Sequence, residues 1–415
     1  MLFASTVINY IDRQTLSALA PFLKEEYHWT NSDYAMLVIA FRIAYAIGQT
    51  VFGRVVDRVG TRLGLTVAVT AYSVFAMLTC FASGLRTFAL FRFLLGLGES
   101  VNWPAATKAV AEWFPKHERG WAVALFDSGS SIGGAIAPAL VIWLYATFGG
   151  WRPAFIITGT LGLIWVLIWR RVYYSPENHP RISDAEREMI LADRRADPTV
   201  AGTDPGTPPS LGELLRLRQT WGTLIARAFT DPVWYFIADW FMIFLVAKGF
   251  KPANTLIAFW IPFIAADLGN FAGGGVSSWL IRRGWSVGRA RKTVVVFGGI
   301  GMLALIPAIY LSSLFAIAIF FGFATFAYAA FSTMALVLPS DLYQSRTVAT
   351  VSGMCGTAAG ILTIGSTFLI GWASDRYSFA PILIASSIVP FIGAILVLLL
   401  VRNTAESGGG IVRRI

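Results

Sequence analysis

Gly53-Arg54-Val55-Val56-Asp57-Arg58-Val59-Gly60-Thr61-Arg62 is a short charged turn set between two apolar runs, near 33–55 and 63–83. Each run has about 20 residues, enough to cross a hydrocarbon layer about 30 Å thick as a helix. Acid, base and glycine together in such a turn suit a latch between two moving helices better than they suit catalysis. Asp57 can pair with a basic residue or face a helix N-terminus, where the partial positive charge favours a carboxylate. Gly53 and Gly60 let helices pack closely, and Arg58 and Arg62 supply the basic side of the turn.

Working outward from this turn, similar apolar runs recur along almost the whole chain. The sequence has 415 residues, 56% hydrophobic and only 13% charged, with mean hydropathy +0.64. Soluble domains carry about a quarter charged residues. A bilayer offers the backbone no hydrogen bonds, so spans must be helices or closed barrel strands. The runs are continuous rather than alternating with period two, which selects helices. The expected spans lie near 2–23, 33–55, 63–83, 86–108, 120–146 and 151–172, then near 220–247, 253–280, 291–311, 313–337, 347–371 and 379–401. The fold class is therefore an all-α membrane protein, with twelve transmembrane helices in two pseudo-symmetric six-helix bundles. Residues 1–172 form the first bundle and 220–415 the second with a short tail; 173–219 form a central loop. Within that loop, Ser183-Asp184-Ala185-Glu186-Arg187 reads as a capped surface helix. Asp197-Pro198 through Pro208-Pro209 reads as a linker.

The net charge of +10 is distributed as a topology signal. With the N-terminus inside, the inside segments hold 23 Lys and Arg and the outside loops only six: Lys24, Arg86, Arg152, Lys248, Lys251 and Arg376. Basic excess marks the cytoplasmic side, so both ends and the central loop are expected there, with no nucleic-acid partner. The N-terminus has no basic lead, and Asp12 and Arg13 interrupt its apolar run, so it does not read as a signal peptide. Cys80 and Cys355 fall in apolar runs of opposite halves, and His28, His117 and His179 fall in loops without ligand spacing. No disulfide, metal site or cofactor is expected. The halves echo each other: Gly275 to Arg291-Lys292 stands where Gly53 to Arg62 stands, without the acid, and Pro339–Arg346 mirrors Pro115–Arg119.

Ionisable residues inside spans are costly and so face a cavity or a partner. The first span holds Asp12 and Arg13, with Asn9 and Tyr10 four and three residues before Arg13. The fourth holds Arg92 and Glu99, almost two turns apart on one face, about 10 Å along the axis. Glu99 lies in Gly96-Leu97-Gly98-Glu99, which permits close helix approach. Arg42, Tyr45 and Gln49 form a polar stripe on the second span. The fifth span carries Asp127, Ser128, Ser130 and Ser131, the seventh Trp234, Tyr235 and Asp239, and the eighth Asp267 and Asn270. Packing, an interfacial belt or structural pairing accounts for these last three sets as well as a ligand does.

The Gly53–Arg62 turn resembles the signature loop of the major facilitator superfamily. Ile8-Asn9-Tyr10-Ile11-Asp12-Arg13, Arg92 to Glu99 and Ala111-Glu112-Trp113-Phe114-Pro115-Lys116-His117-Glu118-Arg119 resemble its anion:cation symporter branch. Asp231-Pro232-Val233-Trp234, Ala266-Asp267-Leu268-Gly269 and Gly284-Trp285 through Arg291-Lys292 are similar to the bacterial transporters of hexuronates, glucuronate and galacturonate. The resemblance implies a proton-coupled symporter that imports a sugar-acid anion across the bacterial cytoplasmic membrane by alternating access. In it Arg13 anchors the substrate carboxylate, and Tyr10, Tyr45, Gln49, Ser130 and Trp234 line the site. Asp12 and Glu99 carry protons and Arg92 tunes Glu99, while Gly53, Asp57, Arg58, Gly60 and Arg62 form the gating loop. The implied partners are the sugar acid and membrane lipid, the coupling ion is H+, and the protein is a monomer. Ser130 and Gly356 stand where galactonate transporters place larger amides. An exporter or exchanger of other organic anions or small metabolites, and a transporter-like membrane sensor, remain alternatives; an enzyme finds no nucleophile–base set. The charge asymmetry predicts that a reporter fused after Arg402 is active in the cytoplasm; activity only in the periplasm overturns the topology.

Overall fold

The computed structural model describes residues 1–195, 208–250 and 252–401. The linker expected over Asp197–Pro209 lies, through Thr207, outside the described residues, as does the tail Arg402–Ile415. Among the described residues there is helix and no strand. In chain order the helices are α1 (Leu2–Tyr27), α2 (Asn31–Val59), α3 (Thr61–Leu78), α4 (Leu85–Glu99), α5 (Asn102–Trp113), α6 (Arg119–Asp127), α7 (Gly129–Phe148), α8 (Arg152–Val172) and α9 (Asp184–Arg195). They continue with α10 (Leu211–Leu215), α11 (Arg218–Ala247), α12 (Pro252–Arg282), α13 (Val287–Gly301), α14 (Leu305–Ala308), α15 (Leu314–Leu342), α16 (Val348–Arg376) and α17 (Ala380–Leu400). Taking α4–α5, α6–α7 and α13–α14 as interrupted spans, and leaving out the short α9 and α10, gives twelve spanning elements among the described residues.

Eight described helices or joined helices are individually long and apolar enough to cross a bilayer. α1 is not among them, because Asn9, Asp12, Arg13 and Gln14 dilute its apolar content. The spans expected near 86–108 and 120–146 are each broken. Ser100 Oγ donates to the Leu97 carbonyl at 2.6 Å where α4 gives way to α5. Ser128 Oγ donates to the Leu125 carbonyl at 2.9 Å where α6 gives way to α7. Hydroxyls turned back on the preceding turn compete with the helical ladder, and these two coincide with its interruptions. Helix starts follow the capping residues. Thr30 Oγ1 accepts from Asp33 N and the Asp33 carboxylate accepts from Thr30 N, a reciprocal cap on α2. Ser183 caps α9 by accepting from Glu186 N at 3.2 Å, at the surface helix the sequence signalled.

The chain forms two compact units. One comprises Met1–Trp113, Leu125–Ala192 and Ser345–Thr357; the other comprises Phe114–Ala124, Asp193–Gln344 and Ala358–Ile415. In the first, α1 packs on α7, α2 on α4 and α3 on α8. In the second, α12 packs on α15 and α13 on α17. The second and fourth spans of each half are thus partners, as are the third and sixth, which makes the weak sequence echo a structural repeat. Side chains turned outward are large and apolar, such as Trp143, Leu167, Phe315 and Phe368, as lipid contact requires.

Buried polar groups hold each unit at defined points. In the second unit Arg291 Nε donates to Asp341 Oδ2 at 2.9 Å, Nη1 to Ser277 Oγ at 2.8 Å and Nη2 to the Lys116 carbonyl at 2.6 Å. Arg119 Nη1 lies 3.6 Å from Asp341 Oδ1, and Arg119 also donates to the carbonyls of Ser340 and Phe114. Both guanidiniums are almost wholly buried. One carboxylate therefore balances two buried cations. Asp341→Ala would remove the carboxylate that faces both guanidiniums and should destabilise the protein by about 3–5 kcal/mol, read as a lowered thermal midpoint in detergent. An unchanged midpoint would show that Asp341 is not their counter-charge.

Candidate functional site

The polar residues of α1 are brought to one place by glycine contacts. A Cβ on Gly96 would meet the Phe41 carbonyl at 2.6 Å, so α4 lies directly against α2. That approach carries Glu99 beside α1, where its side chain is completely buried. Arg13 Nε donates to Glu99 Oε2 at 3.0 Å, and Arg13 Nη2 donates to Asn9 Oδ1 at 3.3 Å. Three rings surround the guanidinium, with its carbon 4.8 Å from the centroid of Tyr10, 5.0 Å from Phe41 and 4.7 Å from Tyr45. Such rings attract a cation while leaving it few competing acceptors. The Arg13 side chain keeps 16% of its surface exposed, unlike Glu99.

Arg92 reaches the backbone of α1. Its guanidinium donates from both Nη atoms to the Arg13 carbonyl, at 3.4 and 3.3 Å, and lies 4.9 Å from the Phe41 ring centroid. Glu99 is ion-paired to Arg13 on another helix, while Arg92 holds the backbone that carries Arg13. Asp12, one residue before Arg13, is buried, with Glu99, Arg92 and Thr158 as its polar neighbours; neither carboxylate oxygen accepts a well-formed hydrogen bond. Two acids and two guanidiniums thus share one buried region, a high-stakes arrangement in low dielectric.

Gln49 lies one turn along α2 from Tyr45, buried, with its amide against α16. A Cβ on Gly356 would lie 1.7 Å from Gln49 Oε1, so a larger residue there would displace the end of this side chain. Thr50 and Thr357 bond hydroxyl to hydroxyl at 2.7 Å just beside it. Ser130 sits at the start of α7 and donates to the Asp127 carbonyl at 2.7 Å. Trp234 belongs to the second unit, stacked on Tyr328 with centroids 5.9 Å apart and edge-on to Phe263. In that unit Asn270 accepts from Thr333 Oγ1 at 3.0 Å, a packing role. The side chain of Asp239 lies outside what is described.

The gating-loop residues separate into distinct tasks. Asp57 accepts from the backbone N–H of Ala349 at 3.2 Å and of Thr350 at 2.6 Å, and from Thr350 Oγ1 at 2.6 Å. Lys108 Nζ donates to Asp57 Oδ1 at 3.0 Å and also to the Ser345 carbonyl. The carboxylate therefore meets a basic residue and the first turn of α16 at once, satisfying donors the helix cannot satisfy itself. Gly53 makes this possible, since a Cβ there would meet the Ala349 carbonyl at 2.3 Å. Gly60, at φ 84°, makes the turn from α2 to α3. Arg58 is exposed in the last turn of α2, where a cation complements the helix end. Arg62 donates to the Arg170 carbonyl at 2.5 Å and stacks on Tyr174. Phe41 and Glu112 were missed in the sequence. Phe41 had a signal, since it lies four residues before Tyr45 on the same helical face.

Comparison with known proteins decides the family. The sequence profile described as Major Facilitator Superfamily matches residues 2–353. The chain belongs to the major facilitator superfamily. It is 32% identical over 406 residues to a hexuronate transporter of Escherichia coli, covering 96% of this chain and 92% of that one. It is 31% identical to a D-galactonate transporter of E. coli, covering 98% and 96%. It is 35% identical over 301 residues to a galacturonate transporter of Dickeya chrysanthemi, covering 72% and 86%. Its fold matches a solved proton:xylose symporter bound to 6-bromo-6-deoxy-D-glucose, with a TM-score of 0.73 at 14% identity over 96% of this chain and 93% of the other. This superfamily member is a multi-pass membrane transporter and not an enzyme.

The contact of Gln49 with Gly356 yields a prediction. Gly356→Ala displaces the end of the Gln49 side chain and so removes its contact with α16. Transport should fall by at least about tenfold, the order of an overpacking cost, while the pair Gly356→Ala with Gln49→Ala recovers part of it. No loss in the single variant would show the contact to be incidental.

Proposed function

We propose that this transporter imports a sugar-acid anion, a hexuronate first, together with protons across the bacterial cytoplasmic membrane. The names of its relatives support the substrate class, and the expected excess of basic residues on one side supports cytoplasmic ends. The single observation that carries the reading is the Arg13–Glu99 pair at 3.0 Å inside a ring of Tyr10, Phe41 and Tyr45. A planar guanidinium suits a carboxylate, and the aromatic faces suit the apolar side of a sugar ring.

Arg13 holds one carboxylate already, that of Glu99. An incoming substrate carboxylate competes for the same guanidinium. Protonating Glu99 removes its claim, so a proton and an anion enter the site as a pair with no change in its net charge. Conversely, when substrate leaves, Arg13 is again available to Glu99, and the proton is released. Each ligand strengthens the other by the same factor, which is what coupling requires. Asp12, beside Arg13 and without a well-formed partner, is a second acid able to join the cycle. Asp57 acts as the latch: while it caps α16, the ends of α2, α5 and α16 are tied together.

Two variants test the reading in proteoliposomes. Arg13→Lys keeps the charge but loses the two-pronged contact, so uptake of labelled glucuronate or galacturonate should fall by at least about tenfold. Glu99→Gln mimics the protonated acid permanently. It should bind and exchange substrate in counterflow yet fail to accumulate it under an inward proton gradient. Accumulation by both Glu99→Gln and Asp12→Asn would overturn proton coupling through these acids. Wild-type protein that carries none of a panel of sugar acids would overturn the substrate class.

A further inference from the structure

The latch does not end at Lys108. Glu112, one turn further along α5, lies with Oε1 3.7 Å from Lys108 Nζ. Its other oxygen, Oε2, accepts a 2.8 Å hydrogen bond from the hydroxyl of Tyr173, the first residue after α8. Tyr173 is placed by stacking: its ring lies 4.0 Å from that of Trp169 at 14°, and Trp169 stacks in turn on Trp165. The Trp169 indole donates to the Arg62 carbonyl at 3.1 Å, so this ladder is bonded to the turn that carries the latch helix into α3. Burial first, and then the neighbouring Glu112 carboxylate, push the Tyr173 phenol well above its usual range, so it keeps its proton and remains a donor. A cavity of about 320 Å³ opens beside the pair, lined by Thr61, Arg62, Glu112, Tyr173, Tyr174 and Asn178.

We propose that Tyr173 is a positioning residue for the latch: its hydroxyl holds Glu112 in place, Glu112 holds Lys108, and Lys108 holds Asp57 on the first turn of α16. Lys108 faces two carboxylates, Asp57 at 3.0 Å and Glu112 at 3.7 Å. A Glu112 released from Tyr173 has no reason to stay at its longer distance. It can draw the ammonium toward itself and away from Asp57. The Tyr173 hydroxyl holds Oε2, which fixes how near Oε1 comes to the ammonium and so sets how the cation is shared. The start of the central loop is thereby wired to the latch, and what happens at Tyr173–Asn178 is felt at α16. The inference rests on the reading of Asp57 as a latch but not on any substrate.

The native thiol of Cys355 reports on this without substrate. It lies on α16 between Gly353 and Gly356, 1% exposed, where α16 packs on α2. In a Cys80→Ser background, maleimide should label Cys355 slowly. Tyr173→Phe keeps the ring and its stacking and removes only the hydroxyl; it should raise the labelling rate about tenfold, the order expected for a lost bond to a charged group. Glu112→Gln should do the same, and the double variant should go no further than either alone, because both act through one linkage. A role in packing alone predicts that Tyr173→Phe labels at the parental rate and that only Tyr173→Leu does not. Parental labelling in Tyr173→Phe, or effects of the two variants that add in full, would overturn the proposal. Transport by Tyr173→Phe gives a second reading: a several-fold lower rate, again not compounded by Glu112→Gln, supports it, and an unchanged rate opposes it. Failure of the sugar-acid panel leaves the labelling result standing, so the two readings fail separately.

Discussion

A guanidinium at membrane depth needs an anion, and the arrangement of the first unit follows from how Arg13 obtains one. Arg13 lies on α1 and Glu99 on α4, and the two are 86 residues apart in sequence. They can meet only if three helices come close enough that their backbones nearly touch. Gly96 against the Phe41 carbonyl supplies that closeness. Once it exists, Phe41 and Tyr45 are carried to the guanidinium as well, and Arg92 is left facing the Arg13 carbonyl. Packing, electrostatics and the candidate binding region are therefore one constraint seen three times. A bulkier residue at 96 would separate the charges before it disturbed the hydrophobic core.

On the proposed reading, the acid of this pair is exchangeable rather than a fixed structural charge. A buried ion pair costs desolvation on both sides and is a weak source of stability. Its value lies in being exchangeable. The rings of Tyr10, Phe41 and Tyr45 hold the Arg13 guanidinium by its faces, which keeps it in place whichever carboxylate it meets at its edge. A site built this way loses little when one anion replaces another. That property is what a carrier of anions requires, and a purely structural bridge does not.

The spans and the repeat were legible because hydropathy and basic-residue asymmetry are properties of whole segments. What could not be read depended on single contacts across helices. On one helix Arg92 and Glu99 share a face but lie too far apart for a simple pair; Glu99 is paired with Arg13, and spacing along one helix cannot reveal a neighbour on another. The interruptions at Ser100 and Ser128 fall inside unbroken apolar runs, and only the hydroxyl bonds to the preceding turn mark them. Asp57 was readable as an acid in search of a base or a helix end, since few other tasks suit that residue in a turn. That it meets both at once follows from Gly53 and from the distant first turn of α16, which the turn itself does not encode. The Ser130 hydroxyl donates to the Asp127 carbonyl at the end of α6, a contact the polar run itself does not encode.

The two units solve one physical problem with opposite charges. In each, the start of a helix from the other half of the sequence is anchored, through its unsatisfied N–H groups in the first unit and through a backbone carbonyl in the second. In the first unit the anchor is an acid, Asp57, which takes those N–H groups directly and is steadied by a single cation, Lys108. In the second the corresponding loop has no acid. There Arg291 reaches the Lys116 carbonyl just ahead of α6, and Asp341 at the end of α15 balances Arg291 and Arg119 together. The first arrangement ends in a carboxylate shared between a helix and a lysine, with Glu112 competing for that lysine. The second ends in two saturated arginines on one carboxylate. A shared cation can be redistributed by a small movement, whereas a saturated pair of guanidiniums cannot give up its anion without stranding charge. On the reading of Asp57 as a latch, the adjustable anchor lies there, in the unit that also holds Arg13 and Glu99, and the rigid one at Asp341.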